Sequence, residues 1–159
     1  MACDVASGLA FLHGHQPPVL HRDLKPDNLL FDEGAVCKIS DLGGSRLEDE
    51  CRTMTAGTGT PVFCAPEQLA HQRYTTAVDV WAAGCVFTCL YLDARLPYIE
   101  AEEGLLGRVV RGEERPWLPS DCPMHLEVAR CCQFEPAQRI SAEQLSAGLA
   151  ELAPLDERV

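Results

Sequence analysis

His21-Arg22-Asp23-Leu24-Lys25-Pro26-Asp27-Asn28 is the stretch from which the rest of the chain can be read. It packs two aspartates, a lysine and an asparagine into eight positions. Short apolar runs flank it, Val19-Leu20 before and Leu29 to Phe31 after. That pattern predicts a loop between short strands, where rigid elements commonly present catalytic groups. Asp32-Glu33-Gly34, followed by Ala35 to Ser40, reads as the turn and return strand of a hairpin. Upstream, Val5, Leu9 and Leu12 recur at helical spacing until Gly14, His15 and Pro17-Pro18 end the run. Downstream, Asp41-Leu42-Gly43-Gly44 opens a glycine- and threonine-rich segment that reaches Pro61 without helical or alternating period. Loops of that length are usually functional or mobile.

Beyond Pro61 the chain reads as helical. Ala65-Pro66-Glu67 opens a short helix, and Tyr74-Thr75-Thr76 offers an N-cap to the segment Ala77 to Leu92. This segment is apolar on nearly all sides, as expected of the buried axis of a domain. It contains Asp79, Gly84 and Thr88 and is shorter than the ~20 residues of a bilayer span, so no membrane span is expected. Helical patches follow at Glu100 to Arg111, Met124 to Phe134 and Ser141 to Leu152, the last opened by a capping-box pattern, Ser141-Ala142-Glu143-Gln144. The expected fold is mainly α with a short β-hairpin region.

Composition sets the class. The 159 residues, 47% hydrophobic and 6% aromatic, suit one soluble domain or part of one. Thirteen basic residues against 24 acidic ones give a net charge of -11, which argues against nucleic acid or an anionic membrane as the main partner. The nine cysteines are odd in number, lie in apolar stretches and follow no secretory signal. Buried free thiols in a reducing, cytoplasmic setting are expected. Cys122, His125, Cys131 and Cys132 lack a paired C-x-x-C spacing and are read as helix packing rather than a zinc site.

An isolated Asp23 or Asn28 between strands would be read as a turn former. The ordered series overturns that reading. His21-Arg22-Asp23 with Asn28, then Asp41-Leu42-Gly43, Ala65-Pro66-Glu67, Asp79-Val80-Trp81-Ala82-Ala83-Gly84 and Arg139 resemble, in this order, the motifs of a protein kinase C-terminal lobe. Leu42 replaces the usual phenylalanine of D-F-G. The resemblance implies a partial kinase domain over residues 1–159, with the catalytic loop at 21–28, the activation segment at 41–67 and a helical subdomain at 68–155.

It implies the chemistry as well. ATP and Mg2+ would be the cofactors and a protein hydroxyl the acceptor. Asp23 would align that hydroxyl, Asn28 and Asp41 would hold magnesium, and Leu30 would floor the adenine pocket. Lys25 and Thr60, beside Asp23, match positions typical of serine/threonine rather than tyrosine specificity. The segment Cys131 to Arg139 leans toward the tyrosine-kinase-like branch of those enzymes. Structural roles fall to His21, Glu67, Asp79 and Arg139, with Glu67 and Arg139 as an ion pair. Arg22 implies control by an upstream kinase, with a phosphate on Thr53, Thr55 or Thr58 as its partner.

The family's glycine-rich loop, strand lysine and helix glutamate find no match here. The two lysines are Lys25 and Lys38, and Lys38 follows the catalytic loop rather than preceding it. The N-terminal lobe is therefore expected to be absent, leaving the floor of an ATP site with weak nucleotide binding and little catalysis. The alternative reading is a non-catalytic, pseudokinase-like interaction module.

Overall fold

A computed structural model describes residues 1–47, 60–93, 96–98 and 103–152, about half of them helical. The α-helices, in chain order, are α1 (Ala2–His13), α2 (Pro66–Leu69), α3 (Ala77–Leu92), α4 (Leu105–Val110), α5 (His125–Cys131) and α6 (Ala142–Leu152). The strands are β1 (Val19–Leu20), β2 (Leu29–Phe31), β3 (Cys37–Ile39) and β4 (Arg46–Leu47). β2 and β3 form the expected hairpin, with Leu29 opposite Ile39, Leu30 opposite Lys38 and Phe31 opposite Cys37. β1 pairs antiparallel with β4, Val19 opposite Leu47 and Leu20 opposite Arg46. Single turns of 3-10 helix at Pro26–Asn28, Leu42–Gly44, Pro61–Phe63 and Pro136–Gln138 join these pieces.

α3 is the buried axis. Every residue from Val78 to Cys89 is buried, and Trp81 and Phe87 are among the largest fully buried side chains. α5 packs on α3 at Gly84, where an added Cβ would lie 2.5 Å from Cys132 Sγ and 3.0 Å from the Cys131 Cβ. Glycine is required there by that close approach. α1 lies along α6, with Ser7 Oγ 3.1 Å from Ser146 Oγ, and turns Val5, Ala6 and Leu9 into the core.

Helix ends differ from the sequence pattern for local reasons. α3 is capped by the Thr75 hydroxyl, which accepts from the Ala77 N–H at 3.3 Å, while Thr76 already has helical dihedrals. α4 starts after Gly104, whose φ is 84°; residues 100–102 of the helix expected from residue 100 lie outside the described residues. α5 stops at Cys131 rather than Phe134. The carbonyls of Gln133 and Phe134 are turned instead to the Arg139 guanidinium, at 2.8 and 3.1 Å. The capping box of α6 is formed on both sides: Gln144 N–H donates to Ser141 Oγ at 3.1 Å, and Ser141 N–H donates to Gln144 Oε1 at 2.9 Å. Among the described residues no helix is long and apolar enough to cross a membrane.

Candidate active site

Residues 21–28 are held open by a buried carboxylate. Asp79, 1% exposed on the first turn of α3, accepts the His21 N–H on Oδ2 and the Arg22 N–H on Oδ1, both at 2.8 Å. His13 Nε2, from the end of α1, reaches the same Oδ2 at 2.9 Å. Three partners compensate the buried charge. With its backbone held in this way, Arg22 takes a left-handed φ of 71°, a conformation that costs a non-glycine residue about 1 kcal/mol or more. The Arg22 guanidinium in turn donates to Gly44 O through Nε at 2.6 Å and also through Nη2. Its Nη1 lies 3.5 Å from the Tyr74 hydroxyl.

His21 is fully buried and joins the two halves of the site. Its Nε2–H donates to Ser40 O at 2.8 Å, and its Nδ1 accepts the Asp23 N–H at 3.3 Å. A single tautomer satisfies both bonds.

Asp23 stands at the centre. Oδ2 accepts from Lys25 Nζ at 2.8 Å and Oδ1 from the Thr60 N–H at 3.1 Å, and Lys25 Nζ also donates to Thr60 Oγ1 at 3.3 Å. The hydrogen bond to the Asp23 carboxylate holds the Lys25 pKa above its ordinary 10.5, against the opposing effect of partial burial. Asp23, Asp27 and Asp41 add electrostatic attraction, so Lys25 is a fixed cation at neutral pH.

Asn28 donates through Nδ2 to Asp23 O at 2.7 Å and Asp23 Oδ2 at 3.4 Å. Both partners are acceptors, so the amide nitrogen faces Asp23 and the amide oxygen Oδ1 is left for another ligand. Leu29 opposite Ile39 sets the register that brings Asp41 to the Asn28 end of the hairpin, and Ser40 N–H closes it by donating to Asn28 O at 2.8 Å. Asp41 has a left-handed φ of 61°. A Cβ on Gly43 would come within 3.3 Å of Asp41 Oδ1, so the glycine leaves space beside that carboxylate. A carboxamide oxygen and a carboxylate are hard donors of the kind magnesium takes, so the donor set fits that ion.

Lys25, Asn28 and Thr60 thus each hydrogen-bond to Asp23, and Lys25 also to Thr60, with Asp41 at the Asn28 end of the hairpin. Leu30 points outward, 56% exposed, as does Leu42 at 50%. Glu67 and Arg139 form a buried bidentate pair at 2.6 and 2.8 Å, away from Asp23. Thr53, Thr55 and Thr58 lie outside the described residues. Among the described residues no three His, Cys, Asp or Glu side chains form a metal-holding group. His125 Nδ1 is instead 2.7 Å from Leu118 O, and Cys122, Cys131 and Cys132 are buried.

Sequence reasoning missed His13, Ser40 and Tyr74. The first and third are tied in by the far ends of side chains from other elements, and Ser40 carries no motif signal.

Comparisons with known proteins agree with the ordered motifs. The family model described as "Protein kinase domain" matches residues 1–148. Two Acanthamoeba polyphaga mimivirus proteins named as serine/threonine-protein kinase/receptor, R826 and R818, are each 33% identical to this chain, over 95% and 96% of it. The Dictyostelium discoideum protein named as serine/threonine-protein kinase drkB is 38% identical over 91% of it. The chain spans 9% of the length of each viral relative and 21% of the amoebal one.

Proposed function

Because this chain belongs to the protein kinase family, we propose that it is the C-terminal lobe of a serine/threonine kinase, carrying the metal-holding and hydroxyl-aligning half of a phosphoryl-transfer site. The observation that carries this reading is the cluster of Lys25 Nζ, Thr60 N and Asn28 Nδ2 around the Asp23 carboxylate, at 2.8, 3.1 and 3.4 Å. Phosphoryl transfer asks little covalent chemistry of a protein and depends on positioning and charge. Asp23 orients the incoming serine or threonine hydroxyl and accepts its proton. Lys25, a cation held 2.8 Å from Asp23, offsets charge on the transferred phosphoryl group. Thr60 fixes Asp23 from the opposite side through its N–H and helps fix Lys25 through its hydroxyl. Asn28 and Asp41 would hold Mg2+, which when bound neutralises the phosphate oxygens.

The lobe assignment is supported by what the site leaves uncovered. Leu30 and Leu42 are 56% and 50% exposed beside the hairpin, and Phe31 is 58% exposed. Leu30 and Phe31 are consecutive on β2 and point to opposite faces, so each is an apolar side chain exposed by itself, and on this reading an N-terminal lobe would cover those that border the nucleotide. On this reading the 159-residue chain binds nucleotide weakly and has little activity of its own. A phosphate placed by an upstream kinase on Thr53, Thr55 or Thr58 would pair with the Arg22 guanidinium in exchange for Gly44 O, the carbonyl it now holds.

The test uses the protein encoded with its upstream sequence, assayed for transfer from Mg-ATP to serine, threonine and tyrosine peptides. Serine/threonine transfer is expected, and Asp23→Asn should lower kcat by roughly 10²–10⁴. If that protein binds Mg-ATP yet transfers nothing, with Asp23→Asn indistinguishable from it, the enzyme reading fails and the interaction-module reading takes its place.

A further inference from the structure

We propose that Ser40 is a positioning residue for the cation site, its hydroxyl setting the separation between Asn28 and Asp41. The inference rests on the reading of those two residues as magnesium ligands. Ser40 donates twice to one acceptor: its N–H meets Asn28 O at 2.8 Å and its Oγ–H meets the same oxygen at 3.0 Å. Both lone pairs of that carbonyl are thereby used. The Ser40 carbonyl accepts the His21 Nε2–H at 2.8 Å. Three atoms of one residue are thus bonded to the two ends of the 21–28 loop, and the next residue along the chain is Asp41.

The consequence is mechanical. The last paired rung of the hairpin is Leu29 opposite Ile39, and beyond it the strands are free to splay. The backbone bond from Ser40 adds one rung. A single N–H···O contact still permits rotation, whereas a second bond from the side chain to the same oxygen resists it. Asn28 and Asp41 leave the hairpin just past this clamp, so their relative placement follows its stiffness. Magnesium demands near-ideal octahedral geometry with oxygens at about 2.0–2.1 Å, and small displacements of a ligand are felt strongly. Removing the hydroxyl also leaves the carbonyl of a buried residue, Asn28, with one bond where it had two.

Mn2+ and Mg2+ titrations of the isotopically labelled 159-residue chain, read by amide NMR, test this without any turnover. Mn2+ should broaden the signals of residues 21–28 and 40–44 first, and Asn28→Ala should abolish the effect. Ser40→Ala should weaken Mn2+ and Mg2+ binding by roughly three- to tenfold, the equivalent of one ordinary hydrogen bond, with a cooperative melt at a slightly lower temperature. Ser40→Thr and Ser40→Val provide a second comparison, since they share a shape and differ in the hydroxyl. Threonine should bind like the wild type and valine like alanine. Equal affinity of all four proteins overturns the role of Ser40 while leaving the cation site in place. If Mn2+ broadens no signals near Asn28 and Asp41 in the wild type, or Asn28→Ala changes nothing, the cation reading falls and the Ser40 proposal falls with it.

Discussion

Arg139 has a side chain with no exposed surface, and its whole donor fork is used. Nη1 and Nη2 grip Glu67 at 2.6 and 2.8 Å, and the same nitrogens reach Ala77 O and Phe134 O, both at 3.1 Å. Nε donates to Gln133 O at 2.8 Å, and the guanidinium carbon sits 5.0 Å from the Trp81 ring centroid. One residue therefore ties α2, the start of α3 and the segment after α5 together. Planarity makes this possible, and an ammonium could not reproduce it. Glu67→Ala would leave the buried cation without its anion and should cost about 3–5 kcal/mol of unfolding free energy by urea denaturation. Adding Arg139→Ala to it should cost less than the sum of the two single changes, because the stranded charge goes too. Additive effects would mean that the pair does not interact as its geometry indicates. The sequence singles out both partners, but it does not disclose the three carbonyls, two of which, Gln133 O and Phe134 O, Arg139 meets because α5 ends early, and the third of which, Ala77 O, belongs to the start of α3.

At the scale of elements, the β2–β3 hairpin shows what holds the site's frame. Asp32 Oδ1 accepts the N–H groups of Gly34 and Val36, each at 3.0 Å, and Oδ2 lies 3.4 Å from Lys38 Nζ. Those bonds, the one from Val36 first, hold the Asp32 carboxyl below its ordinary 3.8. A depressed folded pKa means that the stabilisation is complete above about 3.8 and is lost as pH falls through the lower, folded value. In an NMR titration, Asp32 should have its midpoint below 3.8, with Gly34 and Val36 amide exchange rising over the same range. A midpoint at or above 3.8 would contradict it. Asp32→Asn should keep most of the turn and Asp32→Ala should lose it. The hairpin and α3 were legible in the sequence because their patterns are local: a D-x-G turn, and sixteen residues apolar on all sides. The β1–β4 pair was not. Two residues per strand carry no period, and the partners are separated by the whole catalytic loop and hairpin. Ser40 was missed for a related reason, since its role lies in the register between strands rather than in its residue type.

Over the whole molecule, the thiols report how well the helices close around α3. Eight cysteines are described, all free; seven are buried and Cys3 is half-buried. Burial pushes Cys64 and Cys89 up to about 11 and Cys132 up to about 12. Cys85 and Cys131, also in the α3–α5 contact, move in the same direction. The thiolate is the reactive form, so these groups are shielded twice, by packing and by protonation. Native protein treated with iodoacetamide at neutral pH should therefore be alkylated at Cys3 well before Cys85, Cys131 or Cys132, which should react only at the rate of global opening. Mass spectrometry of timed digests separates the sites. The same shifts fix a sign for alkaline pH. The unfolded chain releases its thiol protons near 9.0 while the folded chain keeps them to about 11 or beyond, so stability is full below 9 and falls as pH rises through that window. The net charge of -11 adds self-repulsion in the same direction. Urea midpoints should decline from pH 9 to 11, and Cys85→Ala with Cys132→Ala should flatten the decline. Labelling of Cys132 as fast as Cys3 in the native state would mean that α5 does not seat on Gly84 as described, because a sulfur 2.5 Å from the place of an absent Cβ has no room for reagent beside it.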